Sequence, residues 1–63
     1  MGSREVKTDL FTIHADDYGW CIKHNESGRS VGINYKAIPE DSSDDFIIGY
    51  ATCLAYQEGW VQP

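Results

Sequence analysis

Residues 46–57 read FIIGYATCLAYQ, twelve consecutive positions without a charged side chain in a protein of which 24% is charged. The pattern predicts a helix, because at about 100° per residue the large apolar side chains gather on one core-facing arc. That arc is Phe46, Ile47, Tyr50 and Leu54. A fourth strand is the alternative, since several of these residue types also suit strands and Gly49 costs a helix about 1 kcal/mol relative to alanine.

The opposite arc of this helix is also free of charge, whereas a surface helix normally carries charged residues there. Its members are Ile48, Gly49, Thr52, Ala55 and Tyr56. A chain of 63 residues has material for one small sheet, which covers a single side of a helix. We therefore predict that this arc is the interface of a homodimer. The alternative is that Trp60 and Val61 fold over it.

The length of the chain makes a second copy useful. We take residues 1–63 as one small domain, and a domain of this size buries only about 60% of the surface that its unfolded form exposes. Its own core is therefore marginal, and oligomerisation is a common remedy. A two-fold contact uses each interface residue twice, so a buried large apolar side chain, worth about 1.5 to 3 kcal/mol, counts double in a dimer.

Short β-type runs separated by turn signals precede the helix. The runs span residues 10–14, 20–24 and 29–36, and the turns are DDYG at 16–19 and NESG at 25–28. The sequence thus predicts an α+β fold of two layers, a three-stranded antiparallel β-meander followed by one C-terminal helix (βββα). Residues 1–8 are polar and without periodicity, and we expect them to be frayed.

The two four-residue turns also predict the register of the strands. Ile13 falls opposite Ile22, which in turn falls opposite Val31, so apolar side chains share one face. The full inner face comprises Phe11, Ile13, Trp20, Ile22, Val31, Ile33 and Tyr35. On the outer face His14 falls opposite Cys21, but two ligands do not make a closed zinc site, and we predict no metal.

The chain is acidic, with ten Asp and Glu against five Lys and Arg and a formal charge of −5. In an up-down-up meander the first turn and the exit of the third strand lie at the same end, which gathers carboxylates there. This predicted acidic rim comprises Asp16, Asp17, Glu40, Asp41, Asp44 and Asp45. One interpretation of this rim is a surface for a basic partner. The other is that it is only a helix start and two solvated turns, since Ser42 or Ser43 suits an N-cap and acidic residues favour the first helical turn.

The charge balance argues against direct nucleic-acid binding, because that affinity comes from Lys and Arg neutralising phosphates. The predicted order of elements is similar to that of the arm-binding domains of some integrases, which read DNA with the sheet, yet the outer face here offers only Lys23 and Lys36 as basic groups. The sequence contains no catalytic constellation, phosphate loop or cofactor motif, so we expect no enzyme activity and no cofactor. No apolar run approaches the roughly 18 residues of a membrane span, and we expect no membrane contact.

These observations predict a small acidic non-enzymatic module for protein binding or regulation. It would act as a homodimer and contact another protein through the acidic rim or the outer sheet face. The alternative is a nucleic-acid-mimicking inhibitor of a DNA- or RNA-handling enzyme. Two cysteines, a polar start and no apolar leader favour a cytoplasmic protein, and the size and charge suit a bacterial or phage accessory protein.

Overall fold

A computed structural model describes residues 4–61, which form a four-stranded antiparallel sheet and one helix. The strands are β1 (Glu5–Lys7), β2 (Phe11–Ala15), β3 (Gly19–His24) and β4 (Ser30–Asn34), and the helix α1 spans Asp44–Gln57. The strand order in the sheet follows the chain, β1-β2-β3-β4. The α+β class is as predicted, and residues 46–57 lie within a helix rather than a strand.

The first strand, β1, was not predicted. The sequence suggested three strands and a frayed lead-in over residues 1–8, whereas Glu5–Lys7 pairs with β2 and places Val6 opposite Ile13. The Thr8 hydroxyl closes this hairpin by accepting hydrogen bonds from the backbone N–H groups of Leu10 and Phe11. A strand of three residues with one inward side chain carries no detectable periodicity, which is why the pattern missed it. Residues 1–3 of the expected lead-in lie outside the described residues.

The register of the other three strands is confirmed. Ile13 pairs with Ile22, and Ile22 pairs with Val31. The turn between β2 and β3 begins at Asp16, whose carboxylate accepts hydrogen bonds from two backbone N–H groups within the turn. Gly19 ends it, and a Cβ there would lie 2.3 Å from the carbonyl oxygen of Ile33. Only glycine therefore allows β3 to begin this close to β4.

Trp20 is the largest fully buried side chain and lies on the inner face of the sheet. Its indole N–H donates a hydrogen bond to the Ile38 carbonyl at 2.8 Å, which satisfies the buried polar atom and fixes the segment that follows β4. The Tyr35 ring packs edge-on against the indole, with centroids 6.2 Å apart. Beside this cluster α1 contributes Ile47 to the same core.

The rotation of α1 about its axis differs from the predicted one. Ile47, Ala51 and Ala55 bury the inner face of the helix. Phe46, predicted to face the core, is 50% exposed, and Ala55, predicted to lie in the dimer interface, is 1% exposed. Both arcs of the helix lack charge, so no polar side marks its orientation in the sequence. Alanine on the inner face lets the helix backbone approach the sheet, which favours the observed rotation.

Both ends of α1 follow from local chemistry. Ser43 is the N-cap, and its hydroxyl accepts a hydrogen bond from the Phe46 N–H at 3.2 Å. Gly59 adopts a φ of 75° just beyond the helix, the left-handed conformation that commonly ends helices. The chain then turns back, so that Trp60 packs on the core and stacks on the ring of His24 at 5.9 Å.

Candidate functional site

An uncharged strip runs along the exposed side of α1. It comprises Phe46, Gly49, Cys53 and Tyr56, and we refer to these four residues as the helix strip. All four are exposed, Phe46 to 50% and Tyr56 to 52%. Spacings of three and four residues keep them on one side of the helix. Within residues 4–61 four large hydrophobic side chains are exposed, and two of them belong to this strip.

The helix strip overlaps only in part with the predicted dimer interface. Gly49 and Tyr56 lie on it, while Ile48 and Thr52 are half-buried along its margin. The Thr52 hydroxyl donates to the Ile48 carbonyl at 2.8 Å, so its only donor is used within the helix. Ala55 is buried in the core of its own chain and is not part of the strip.

The sequence placed two members of the strip differently: Phe46 on the core-facing arc, and Cys53 between the two arcs. The signal that could have found them is the pair of alanines at 51 and 55, which marks a face able to pack closely against a sheet. Cys53 is a free, exposed thiol at the centre of the strip. It also borders a shallow groove lined by Tyr50, Leu54 and Gln57. Around Gly49 the space is open, since a Cβ there would meet nothing within 4 Å.

Arg4 divides the predicted acidic rim. One guanidinium nitrogen donates to the carbonyl oxygens of Glu40 and Ser42, at 3.0 and 2.5 Å, and the other lies 2.6 Å from an Asp44 carboxylate oxygen. The guanidinium carbon lies 5.6 Å from the centroid of the Trp20 ring. Arg4, one of the five basic residues, thus neutralises the Asp44 carboxylate at the start of α1. Sequence reasoning missed this contact because it placed Arg4 in a frayed segment.

A second part of the rim gathers around Tyr35. The phenol donates a hydrogen bond to the backbone carbonyl of Asp16. Burial raises the pKa of Tyr35 above its ordinary value of 10.0, and the nearby carboxylates of Glu40, Asp16 and Asp17 raise it further. The carboxylates of Glu40, Asp16 and Asp17 are thus near enough to Tyr35 to act on its phenol. We refer to them as the tyrosine-side carboxylates.

The remaining two members of the rim, Asp41 and Asp45, are exposed. Asp45 lies in the first turn of α1, where negative charge complements the helix dipole. No ion pair involving either carboxylate forms within residues 4–61. The six carboxylates are thus divided among an arginine contact, the tyrosine side and two solvated positions.

The histidines and Cys21 form no site in the described part of the chain. His14 lies opposite Cys21 on the outer face, as the register predicted. Over residues 4–61 no three His, Cys, Asp or Glu side chains converge so that they could hold a metal ion. His24 is a core residue, 1% exposed and packed between Phe11 and Trp60.

The ring nitrogens of His24 differ in their surroundings. Nδ1 lies 2.8 Å from the Ser27 hydroxyl, whose oxygen also accepts a hydrogen bond from the Arg29 N–H. The Ser27 N–H also donates to Nδ1, at 3.4 Å. Nε2 is buried, and no residue from 4 to 61 forms a hydrogen bond with it. The stacked ring of Trp60 on one side and the tilted ring of Phe11 on the other make this histidine a packing residue.

The one helix found in residues 4–61 is too short and too polar to cross a lipid bilayer. Comparisons with known proteins gave no match: no family model fits the chain, and no curated protein or solved structure is significantly similar to it. Any functional inference therefore rests on the surfaces described above.

Proposed function

We propose that this chain is a small non-enzymatic module for protein binding or regulation, and that it forms a homodimer through the helix strip. The observation that carries the proposal is the exposure of Phe46 and Tyr56 on an uncharged side of the only helix among residues 4–61. Exposed apolar area of this kind is the usual mark of a protein–protein contact, whereas scattered single side chains need no explanation.

A second copy is a suitable occupant of the helix strip for reasons of charge and shape. Each copy has a formal charge of −5, and contact through an uncharged strip keeps the carboxylates of the two copies apart. Gly49 and Cys53 are small and lie between the two aromatic side chains, so a second helix can approach closely there. Burying Phe46 is worth about 1.5 to 3 kcal/mol, and a two-fold contact buries it twice.

Sedimentation of the parent chain at rising concentration, beside the variant Phe46→Glu, tests this proposal. We expect the parent to self-associate and the variant to stay folded at a lower mass, because the substitution places two carboxylates in the contact. Leu10→Glu is a matched control, since Leu10 is also 50% exposed but lies in the turn between β1 and β2. A Phe46→Glu chain that keeps the mass of the parent would contradict the helix contact.

In the proposed dimer the tyrosine-side carboxylates stay available to another protein. Asp16, Asp17 and Glu40 are exposed, and no ion pair within residues 4–61 neutralises them. A basic surface is the partner that complements them. The other part of the rim is less suitable, because Arg4 already binds Asp44.

The same carboxylates support the second candidate function, imitation of nucleic acid. Such a chain would displace a fluorescent DNA duplex from a nuclease or polymerase with a basic groove. The displacement should weaken steeply as salt rises, and also in the double variant Asp16→Asn with Asp17→Asn. Asp45→Asn is the control, since Asp45 lies in the first turn of α1. Displacement that is indifferent to salt would exclude mimicry.

A further inference from the structure

Strand β4 is an open edge of the sheet. It lies last in the strand order, and residues 4–61 place no strand beside it. Its sequence, SVGIN, contains neither a charged residue nor proline, and three of its five residues are exposed. Natural edge strands usually carry such residues, a bulge or a cover, because an unprotected edge pairs readily with another strand. β4 contains neither of the residue types that protect an edge strand, a charged residue or a proline.

The backbone of β4 has specific groups available for pairing. The His24 N–H donates to the Arg29 carbonyl at 2.7 Å, so the Arg29 carbonyl is directed toward β3. Antiparallel pairs alternate, so Val31 and Ile33 also direct their backbone groups toward β3. The backbone groups of the alternate residues, Ser30, Gly32 and Asn34, therefore point away from the sheet.

One of these outward groups is already used. The Asn34 carbonyl accepts hydrogen bonds from the backbone N–H groups of Ala37 and Ile38 in the turn that follows β4. What remains at the edge is the Gly32 N–H and carbonyl, the Asn34 N–H, and the backbone groups of Ser30. Among protein partners, an extended backbone is the one whose donors and acceptors match this spacing. The ligand of this edge is thus another β-strand.

We infer that this strand is β4 of a second copy, antiparallel to the first about a two-fold axis at Gly32. The strand is self-complementary, because its pattern of polar, β-branched, glycine, β-branched and polar residues is the same in either direction. The two glycines would pair directly, each N–H donating to the other carbonyl. Asn34 would donate its N–H to the Ser30 carbonyl of the other copy, and Val31 would pair with Ile33, a favourable cross-strand combination.

Burial and charge both support this arrangement. Val31 and Ile33 face the core side but stay half-buried because β4 has no neighbour, and a second β4 would cover them. The same register places Arg29 of each copy opposite Tyr35 of the other. Tyr35 is surrounded by the tyrosine-side carboxylates. The exposed arginine would therefore meet the acidic end of the other copy, once at each end of the contact.

This edge contact goes beyond the proposed function, because it uses backbone groups of β4 and none of the residues of the helix strip. Both contacts are two-fold and self-complementary. If both form, the assembly is larger than a dimer, since each chain then holds two neighbours. The solution mass therefore reports how many of the two contacts exist, and single variants identify which.

The test is sedimentation of the parent beside Gly32→Lys. A Cβ at position 32 meets only the Trp20 carbonyl oxygen, at 3.9 Å, so the single chain tolerates a side chain there. In the paired edge, two lysines would lie opposite each other on residues whose Cα atoms are about 5.5 Å apart. We expect self-association to weaken about tenfold or more. His14→Lys, an exposed outer-face change on β2, should leave it unaltered.

Amide hydrogen exchange provides the second readout. The Gly32 N–H should become more protected as the protein concentration rises, while the Ile33 N–H, already bonded to β3, should stay protected throughout. Two results would overturn the inference. One is amide exchange at Gly32 that does not depend on protein concentration, and the other is a Gly32→Lys variant with the same solution mass as the parent. A mass that falls with Phe46→Glu but not with Gly32→Lys would overturn the edge contact and leave the helix contact standing.

Discussion

The two edges of the sheet differ in how they meet solvent. β1 has three residues, and its outward side chains, Glu5 and Lys7, are charged. The Lys7 Nζ lies 3.8 Å from the Glu5 Oε1. β4 has five residues and no charge. Shortness and charge both discourage an edge strand from pairing with another chain. One edge of this small sheet is therefore protected, whereas the other keeps its capacity to pair.

The protected edge is also the one that is tied to the rest of the chain. Directly before β1, Arg4 binds the segment that leads into α1 through two carbonyl oxygens and the Asp44 carboxylate. In β1 itself, Val6 is 6% exposed and belongs to the core. The inward residues of β4, Val31 and Ile33, are only half-buried. The inward side chain is thus buried at the protected edge and half-buried at the open edge.

The largest expected effect comes from the inward valines of the two edges. Val6→Ala should lower the free energy of unfolding by about 2 kcal/mol, because a fully buried side chain loses its packing. Val31→Ala should cost about half as much in dilute protein, where β4 is uncovered. Urea unfolding of both variants at one low concentration measures the difference. Equal losses would mean that the two edges are equally buried in solution.

A smaller effect is expected from the cations beside the protected edge. Arg4→Gln should cost about 1 kcal/mol, because the guanidinium makes charge-assisted hydrogen bonds, although its 34% exposure allows solvent to screen them. Lys7→Gln is the control, since its ion pair with Glu5 is exposed and should contribute almost nothing. Thermal unfolding at low salt compares the two variants. If Lys7→Gln lowered the stability as much as Arg4→Gln, the hydrogen bonds of Arg4 would not be what holds β1 to the segment before α1.

The smallest effect concerns Tyr35, directly after the open edge. Its pKa is raised in the folded chain, so the folded state holds the phenol proton more tightly than the unfolded state. Stability from this group is fully present below the ordinary value of 10.0 and is lost as the pH rises from there to the raised value. Tyr35→Phe should therefore lose less stability than the parent above pH 10.0. Parallel alkaline unfolding curves for the two chains would show that folding does not raise the pKa of Tyr35, either by burial or through the nearby carboxylates.

Elements marked by clear turn signals or by a pattern over many residues were predicted correctly. The short strand β1 and the orientation of the uncharged helix were not. Turns with recognisable chemistry at Asp16 and Gly28 set the register of three strands, which the structure reproduces residue by residue. The three residues of β1 were too few to show alternation. The helix strip was only partly predicted, because an uncharged helix gives no sign of which arc faces the sheet. Arg4 was missed for a further reason, since its partners lie 36 to 40 residues away along the chain.

By itself, then, the sequence determined the class of the fold, the strand register from β2 to β4 and the existence and start of α1. These features depend on local turn chemistry, capping and periodicity, which are properties of neighbouring residues. Only the tertiary structure decided the rotation of α1, the attachment of β1 and the division of the acidic rim by Arg4. Each of these depends on close packing or hydrogen bonds between segments far apart in the chain, and such contacts leave no local pattern.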